Sequence, residues 1–241
     1  MDFARFLDEL KQAPSYRGQI VYHARQEPRP ARYADLQPPL LSAAQTALDG
    51  LGIERLYCHQ AQGLEAVRRG EDVLLATGTA SGKSLVYQLA ILELLERNPQ
   101  AKVLAIFPLK ALAQDQLLGL QRLLKLAGRE DVLCGCYDGD TPSAMRRKLR
   151  DEAGVILTNP DMIHAGILPQ HTRWAGFLEH LELVILDEIH TYSGLFGANM
   201  ANLFRRFERV VRHYRSSERG SPEPHTDGPA ALESRAPRFV S

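Results

Sequence analysis

The stretch VLLATGTASGKS, residues 73–84, decides how this chain is interpreted. Its first three residues are an apolar run typical of a buried strand, and residues 85–92 have the apolar periodicity of a helix. A strand, a loop of small residues and a helix that begins at Gly-Lys-Ser form the Walker A arrangement, in which backbone N–H groups and the helix N terminus bind phosphates. The stretch therefore predicts a site for a nucleoside triphosphate.

Two side chains of this loop have predicted roles. Lys83 would reach the β- and γ-phosphates as a point charge, and the Ser84 hydroxyl would ligate Mg²⁺. The loop departs from the usual pattern at Thr77, where the first glycine is expected, and at Ala80, but both residues are small enough for the backbone to approach a phosphate. A chance Gly-Lys-Ser at a helix start is the alternative. The predicted nucleotide-binding residues are Thr77, Gly78, Thr79, Ala80, Ser81, Gly82, Lys83 and Ser84.

A second motif, LVILDEIH, spans residues 183–190. Four apolar residues that deliver Asp-Glu to the end of a strand form the Walker B arrangement, at the edge of the sheet where ligands bind in open α/β folds. Asp187 would hold Mg²⁺ through its water shell, and Glu188 would orient and deprotonate the attacking water. The alternative is an acidic pair that faces solvent at a strand end.

Composition limits the class of protein. The chain has 241 residues, 44% of them hydrophobic, which suffices for one large α/β domain with an accessory segment. Its net charge is zero, so binding of nucleic acid would be local, through a groove and helix ends. No apolar run approaches ~20 residues, which predicts a soluble, cytoplasmic protein without a membrane partner. Three cysteines without a Cys-x-x-Cys pair fit a reducing compartment, and Cys134 and Cys136 are predicted to be buried reduced thiols, with metal ligation as the alternative.

The first 50 residues are predicted to form an accessory helix and arm. Residues 1–14 have the pattern of an amphipathic helix, and residues 18–23 that of a short strand. The arm contains Arg25, Arg29 and Arg32, for which we favour a solvated loop over contact with nucleic acid. A helix closed by Gly50 follows, and the predicted ATP-binding lobe covers residues 51–241.

The lobe alternates apolar runs with helical patterns. Strands are predicted at residues 102–107, 131–137, 154–158 and 181–186, and helices at 109–127 and 142–151. This order predicts right-handed crossovers and a mostly parallel sheet covered on both faces, which is the α/β class.

The end of the chain carries a long helix and a polar segment. The predicted helix at 194–215 has Leu195, Phe196, Met200, Leu203, Phe204 and Phe207 inward, and Arg205, Arg206, Arg209 and Arg212 outward. We interpret these arginines as a solvated face, with a nucleic-acid track as the alternative. Residues 216–237 predict a flexible loop, and residues 238–241 resume a strand pattern.

With these motifs in place, the sequence resembles the DEAD/DEAH-box ATPases of helicase superfamily 2. Within them it is most similar to the mitomycin-repair type of DNA helicase and to a fungal RecQ4-like branch. The segments that carry the resemblance are LYCHQ at 56–60, ATGTASGKS at 76–84, FPLKALAQDQ at 107–116, YDGDT at 137–141, TNPDM at 158–162 and DEIHTYSGLFGANMANLFRR at 187–206.

The resemblance implies a RecA-like first lobe that uses ATP and Mg²⁺. It implies that Gln60 contacts the adenine and that the two Walker motifs bind the phosphates, the metal and the attacking water. It also implies that His190 links the nucleotide site to the next motif. The residues that match segments gripping a nucleic-acid backbone are Pro108, Lys110, Gly139, Thr158, Asn159, Pro160 and Asp161. Contacts of this kind would be tolerant of sequence and sensitive to salt.

The resemblance also implies an ATP-dependent 3′-to-5′ DNA helicase or translocase that acts in DNA repair on single-stranded or tailed DNA. Its relatives continue into a second lobe that supplies an arginine finger, so we expect this chain alone to bind ATP but hydrolyse it poorly. The alternatives are an RNA-directed DEAD-box ATPase, a nucleotide-gated binding module without catalysis and, more distantly, a P-loop kinase. The oligomeric state does not follow from the sequence.

Overall fold

The computed structural model of this chain describes residues 3–24, 30–78, 81–217 and 238–240. It divides into two compact units, residues 1–32 and residues 33–241. The domain boundary near residue 50 stays a prediction. Thr79 and Ala80 of the predicted nucleotide loop lie outside the described residues, as do Arg25 and Arg29 of the arm and most of the predicted flexible loop, residues 218–237.

Among the described residues of the first unit, 3–24 and 30–32, the one regular element is helix α1 at Phe3–Gln12. Its apolar side chains Phe3, Phe6 and Leu10 are exposed, and none of its residues is buried. The predicted strand at residues 18–23 is wrong, because residues 19–24 have no regular secondary structure. A short extended segment becomes a strand only where another backbone supplies the ladder hydrogen bonds.

A parallel sheet of five strands, in the order β4-β5-β3-β6-β7, forms the second unit's centre. Its strands are β3 at Lys102–Ile106, β4 at Cys134–Cys136, β5 at Val155–Thr158, β6 at Leu181–Leu186 and β7 at Arg238–Val240. β1 at Tyr33–Ala34 and β2 at Leu56–Tyr57 form a separate antiparallel ribbon. The predicted α/β fold with a parallel sheet is therefore confirmed.

Alternate residues of the strands enter two different cores, one on each face of the sheet. On one face, Val103 and Ala105 pack with α2 at Ser42–Gly50, α3 at Cys58–Arg69, α4 at Lys83–Arg97 and α5 at Lys110–Leu126. On the other, Leu104 and Ile106 pack with α6 at Ser143–Glu152, α8 at Ala175–Glu179 and α9 at Gly194–Ser217. Residues 160–174 between β5 and α8 form α7 at Pro160–Met162, a π turn and a 3₁₀ segment. None of the described helices is long and apolar enough to cross a membrane.

Three details of the predicted elements are wrong. Residues 73–75 do not form a strand, since only Val73 has a bridge and Leu74 is exposed. The strand predicted at residues 131–137 is confined to β4. The inward orientation predicted for Leu195 and Phe196 is wrong, because both side chains are exposed.

A buried ion pair fastens the segment before α2 to the helices of the first core. Arg68 Nε donates to Glu93 Oε2 at 2.8 Å, and the two side chains are only 8% and 3% exposed. The backbone N–H of Leu41 also donates to Glu93, and Arg68 Nη2 donates to the carbonyl oxygen of Pro39. The pair therefore joins α3, α4 and the chain before α2.

Replacing Arg68 with Met should destabilise the protein by about 3 kcal/mol, because it leaves the Glu93 carboxylate buried without its main partner. Arg97 Nη2 lies 3.6 Å from Glu93 Oε2 and leaves a positive charge beside the carboxylate. The loss of stability should therefore lie at the lower end of the range found for broken buried ion pairs. The double variant Arg68→Met/Glu93→Leu should recover most of the stability. Urea unfolding measures both, with the exposed Arg69→Met as control. A single variant as stable as the wild type would contradict this role for the pair.

Candidate nucleotide and nucleic-acid site

The nucleotide-binding loop is fixed where it meets α4. Gly82 precedes the helix with φ 78°, in the left-handed region that favours glycine. The Thr77 and Ser81 hydroxyls lie 2.7 Å apart across the loop, and Lys83 Nζ donates to the carbonyl oxygen of Thr77 at 3.3 Å. The ammonium group of Lys83 therefore lies over the loop in which a phosphate would be held.

Gln60 connects this loop to α3. Its side chain is 4% exposed, its Oε1 accepts a hydrogen bond from the Tyr57 backbone N–H at 2.9 Å, and its Nε2 donates to the carbonyl oxygen of Gly82 at 3.0 Å. A Cβ atom on Gly82 would lie 2.5 Å from Gln60 Nε2. The amide thus positions the loop, and its contact with adenine stays a prediction.

A cavity of about 380 Å³ lies between the loop and the segment that follows β6. It brings Lys83, Asp187, Glu188 and His190 together, four residues that the two Walker motifs and the resemblance singled out. Thr77 and Tyr87 complete its polar lining. Ser84 does not line this cavity, although its hydroxyl was predicted to ligate Mg²⁺. The Asp187 carboxylate at the end of a parallel strand could bind a metal ion, and the nearby Lys83 ammonium could bind the phosphates that the metal coordinates.

One acidic residue of this cavity, Asp187, has a pKa that is changed by burial. Asp187 follows β6, and burial raises its pKa, while its Oδ1 accepts a hydrogen bond from the Glu188 backbone N–H at 2.8 Å. Glu188 has φ 53°, in the left-handed region that non-glycine residues rarely occupy. Its Oε2 lies 3.2 Å from His190 Nδ1. Strain and buried charge at one place are typical of functional sites.

A second cavity, of about 630 Å³, lies on the other side of the loop. Gln60, Ser81 and Gly82 line it together with an aromatic ladder that sequence reasoning missed. In this ladder the Tyr33 and Tyr57 rings stack at 5.3 Å between centroids, and the Arg55 guanidinium lies 5.2 Å from the Tyr33 ring centroid. The ladder results from the pairing of β1 with β2, which joins residues 24 positions apart, and no local pattern indicates it.

The predicted nucleic-acid residues all lie at the carboxyl edge, the ends of β3, β4 and β5. Lys110 and Asp161 are exposed, and Lys110 Nζ forms an ion pair with Asp140 Oδ2 at 2.7 Å. Thr158 and Asn159 are buried; the Thr158 hydroxyl donates to the carbonyl oxygen of Tyr137, and the Asn159 side chain accepts from the Met162 N–H. Pro108 and Pro160 flank these positions, and Gly139 lies in the turn after β4.

The turn that contains Gly139 is held by side-chain hydrogen bonds that the sequence did not indicate. Asp138 is 6% exposed, and its Oδ1 accepts hydrogen bonds from the backbone N–H groups of Asp140 and Thr141. Arg146 of α6 donates to the carbonyl oxygens of Asp138 and Gly139 at 2.8 and 2.7 Å. The pKa of Lys110 is raised by its hydrogen bond with Asp140. The turn therefore presents one exposed carboxylate at the edge, Asp140, which is paired with Lys110 of α5.

A parallel sheet with a phosphate loop and an acidic strand end defines a P-loop nucleoside triphosphatase with a RecA-like fold. The family model described as DEAD/DEAH box helicase matches residues 57–219. The chain belongs to the DEAD/DEAH box helicase family, which confirms the predicted resemblance.

Curated relatives match over most of this chain. It is 40% identical over 190 residues to the uncharacterized ATP-dependent helicase YprA of Bacillus subtilis, covering 79% of this chain and 25% of that protein. It is 41% identical over 207 residues to the ATP-dependent helicase HRQ1 of Saccharomyces cerevisiae, covering 86% of this chain and 19% of that protein. The chain therefore spans about a fifth to a quarter of the length of these relatives.

A solved structure matches along nearly the whole chain. The DUF1998 helicase MrfA bound to DNA and AMPPNP superimposes with a TM-score of 0.82 at 35% identity, over 98% of this chain and 30% of that protein. Mss116p bound to single-stranded RNA and AMP-PNP, at 14% identity and a TM-score of 0.64, shares the fold. The RecA-like fold of the lobe is confirmed by these neighbours.

Replacing Gly82 with Ala should weaken nucleotide binding at least tenfold, because the new methyl group collides with the Gln60 amide that positions the loop. Calorimetry with a non-hydrolysable ATP analogue measures the effect. Gly128→Ala is the matched control, since Gly128 also has a positive φ but no atom near its added Cβ. Unchanged affinity in Gly82→Ala would contradict the positioning role.

Replacing Asp187 with Asn should raise the melting temperature of the nucleotide-free protein by about 2–4 °C, because the buried charge disappears while Oδ1 still accepts from the Glu188 N–H. The same change should remove the low ATP hydrolysis expected of this lobe alone. Differential scanning fluorimetry compares it with Asp49→Asn, an exposed carboxylate on α2 that should leave the melting temperature unchanged. A lower melting temperature would show that the carboxylate stabilises the fold.

Proposed function

We propose that this chain is the ATP-binding and nucleic-acid-binding lobe of an ATP-dependent DNA helicase. The observation that carries the proposal is the convergence of Lys83, Asp187, Glu188 and His190 on one cavity beside the phosphate loop. A second cavity on the other side of the loop, with two stacked tyrosines, offers space for the base, and exposed groups at the carboxyl edge offer contacts for a nucleic-acid strand.

The nucleotide would span the loop from one cavity to the other. Its base would enter the cavity of Tyr33 and Tyr57, and its phosphates would be held by backbone N–H groups of the loop, the N terminus of α4 and the Lys83 ammonium. When bound, Mg²⁺ would neutralise phosphate charge, with Asp187 and Ser84 as its protein ligands.

Glu188 would orient and deprotonate the water that attacks the γ-phosphate. Its Oε2 lies 3.2 Å from His190 Nδ1, so His190 is placed to orient this carboxylate. His190 would thereby link the nucleotide site to the segment after β6, as the resemblance implies.

A nucleic-acid strand would lie across the carboxyl edge. Lys110, Gly139 and Asp161 are exposed there, and buried Thr158 and Asn159 hold the backbone around them in place. DNA is the proposed substrate because the MrfA structure contains DNA and because the relatives include the ATP-dependent DNA helicase Hel308 of Thermoplasma acidophilum, 36% identical over 137 residues.

Lys83→Ala should lose nucleotide binding, because the phosphates lose their nearest cation, whereas Glu188→Gln should retain binding and lose the low turnover expected of this lobe alone. A fluorescent ATP analogue reports binding, and phosphate release with and without single-stranded DNA reports turnover. Lys125→Ala, an exposed lysine at the far end of α5, is the matched control. Full binding by Lys83→Ala would contradict the site.

The nucleic-acid class is tested by competition. A labelled DNA oligonucleotide bound to the protein should be displaced more readily by unlabelled DNA than by RNA of the same sequence. Preference for RNA would shift the proposal to an RNA-directed ATPase, since discrimination depends on contacts to the 2′-hydroxyl. A strong preference for one base sequence would contradict strand binding through the backbone.

A further inference from the structure

The outward face of α9 carries a row of arginines that the proposed site does not use. Four exposed arginines occupy this face: Arg205, Arg206, Arg209 and Arg212. At about 100° per residue they fall within about 120° of the helix circumference, and they extend over about 10.5 Å of its axis. On the opposite side, Leu203, Phe207 and Val211 are buried in the second core. We call these four residues the arginine face.

The arginine face keeps most of its positive charge. Arg212 forms an ion pair with Glu208. Arg205 Nη1 donates to Asn202 Oδ1 at 3.2 Å, which leaves its charge without a counter-ion. Within the described part of the chain, no carboxylate forms an ion pair with Arg205, Arg206 or Arg209. In a chain of zero net charge, three uncompensated arginines on one helix are a local concentration of positive potential.

This face begins beside the nucleic-acid edge. Arg206 Nη1 lies 3.5 Å from Nδ1 of the exposed His164, which follows the edge residue Asp161 by three positions. At the other end of α9, Arg215 donates to the carbonyl oxygen of Leu181, at the start of β6. The helix therefore runs from the carboxyl edge toward the opposite edge of the sheet, with its arginines on the outside.

We propose that the arginine face binds the phosphate backbone of the part of the nucleic acid that extends beyond the strand at the carboxyl edge. This inference rests on the proposed function. The length of the face matches about three nucleotides of a duplex strand, at 3.4 Å each. Arginine suits phosphate because its guanidinium can donate two parallel hydrogen bonds. Contacts of this kind add affinity without reading sequence.

The test compares two DNA ligands by fluorescence anisotropy. One is a single strand of about eight nucleotides, long enough to occupy one binding groove; the other carries the same strand as a tail on a duplex of about 20 base pairs. The wild type should bind the tailed duplex at least fivefold more tightly. Arg205→Gln/Arg209→Gln should lose this gain and bind the short strand normally. The slope of log affinity against log salt for the tailed duplex should fall by about two.

The matched control is Arg122→Gln/Lys125→Gln, which removes two exposed cations from the far end of α5. It should bind both ligands like the wild type. Equal loss in the control would show a general charge effect and overturn the inference. Normal binding of the short strand with no gain from the duplex in the wild type would also overturn it, while leaving the proposed function intact. Failure of the wild type to bind either DNA would overturn the proposed function itself.

Discussion

Parallel pairing of β3 with β6 is the interaction on which the site depends. Residues 103–106 lie opposite residues 183–186, and the Asp187 N–H continues the ladder to the carbonyl oxygen of Ile106 at 3.0 Å. This bond fixes the acidic residue one position beyond the strand, at the same edge as the segment after β3. On its other side β3 pairs with β5, which brings residues 158–161 to that edge. Because a shift of one residue would exchange the two faces of a strand, the register of these pairs determines which groups meet.

The parts of the fold that the sequence predicts well are those buried on both faces. β3, β5 and β6 are nearly continuous apolar runs, because both sides of each strand enter a core. The run at residues 73–75 is equally apolar, yet it is not a strand, since strand formation also needs a partner that local sequence does not specify. Residues 160–179 combine α, π and 3₁₀ turns, and their sequence has no sustained period that would reveal them.

In the candidate site, too, local motifs predicted some residues, and tertiary contacts that the sequence does not reveal place the others. The Walker motifs predicted Lys83, Asp187 and Glu188, and the resemblance added His190, because each lies in a segment whose function requires a fixed local order of residues. The roles of Tyr33 and Tyr57 arise from the antiparallel pairing of distant segments, and the support that Arg146 gives to the turn at Gly139 arises from packing of α6. Such contacts depend on tertiary structure. Gln60 was found by its motif, but its two hydrogen bonds show a role in holding the loop that the motif alone did not define.

Zero net charge does not oppose the binding of a polyanion by this protein, because electrostatic potential in salt is a local quantity. At physiological ionic strength the screening length is about 8 Å, shorter than a single lobe of this size, so a distant carboxylate has little effect on a phosphate at the surface. What matters is the charge within that distance. At the carboxyl edge Lys110 is balanced by Asp140, whereas α9 has five arginines and one glutamate. The net charge of the chain is therefore an average over surface regions of opposite charge. The local arrangement of charged residues on each element determines where an anion can bind.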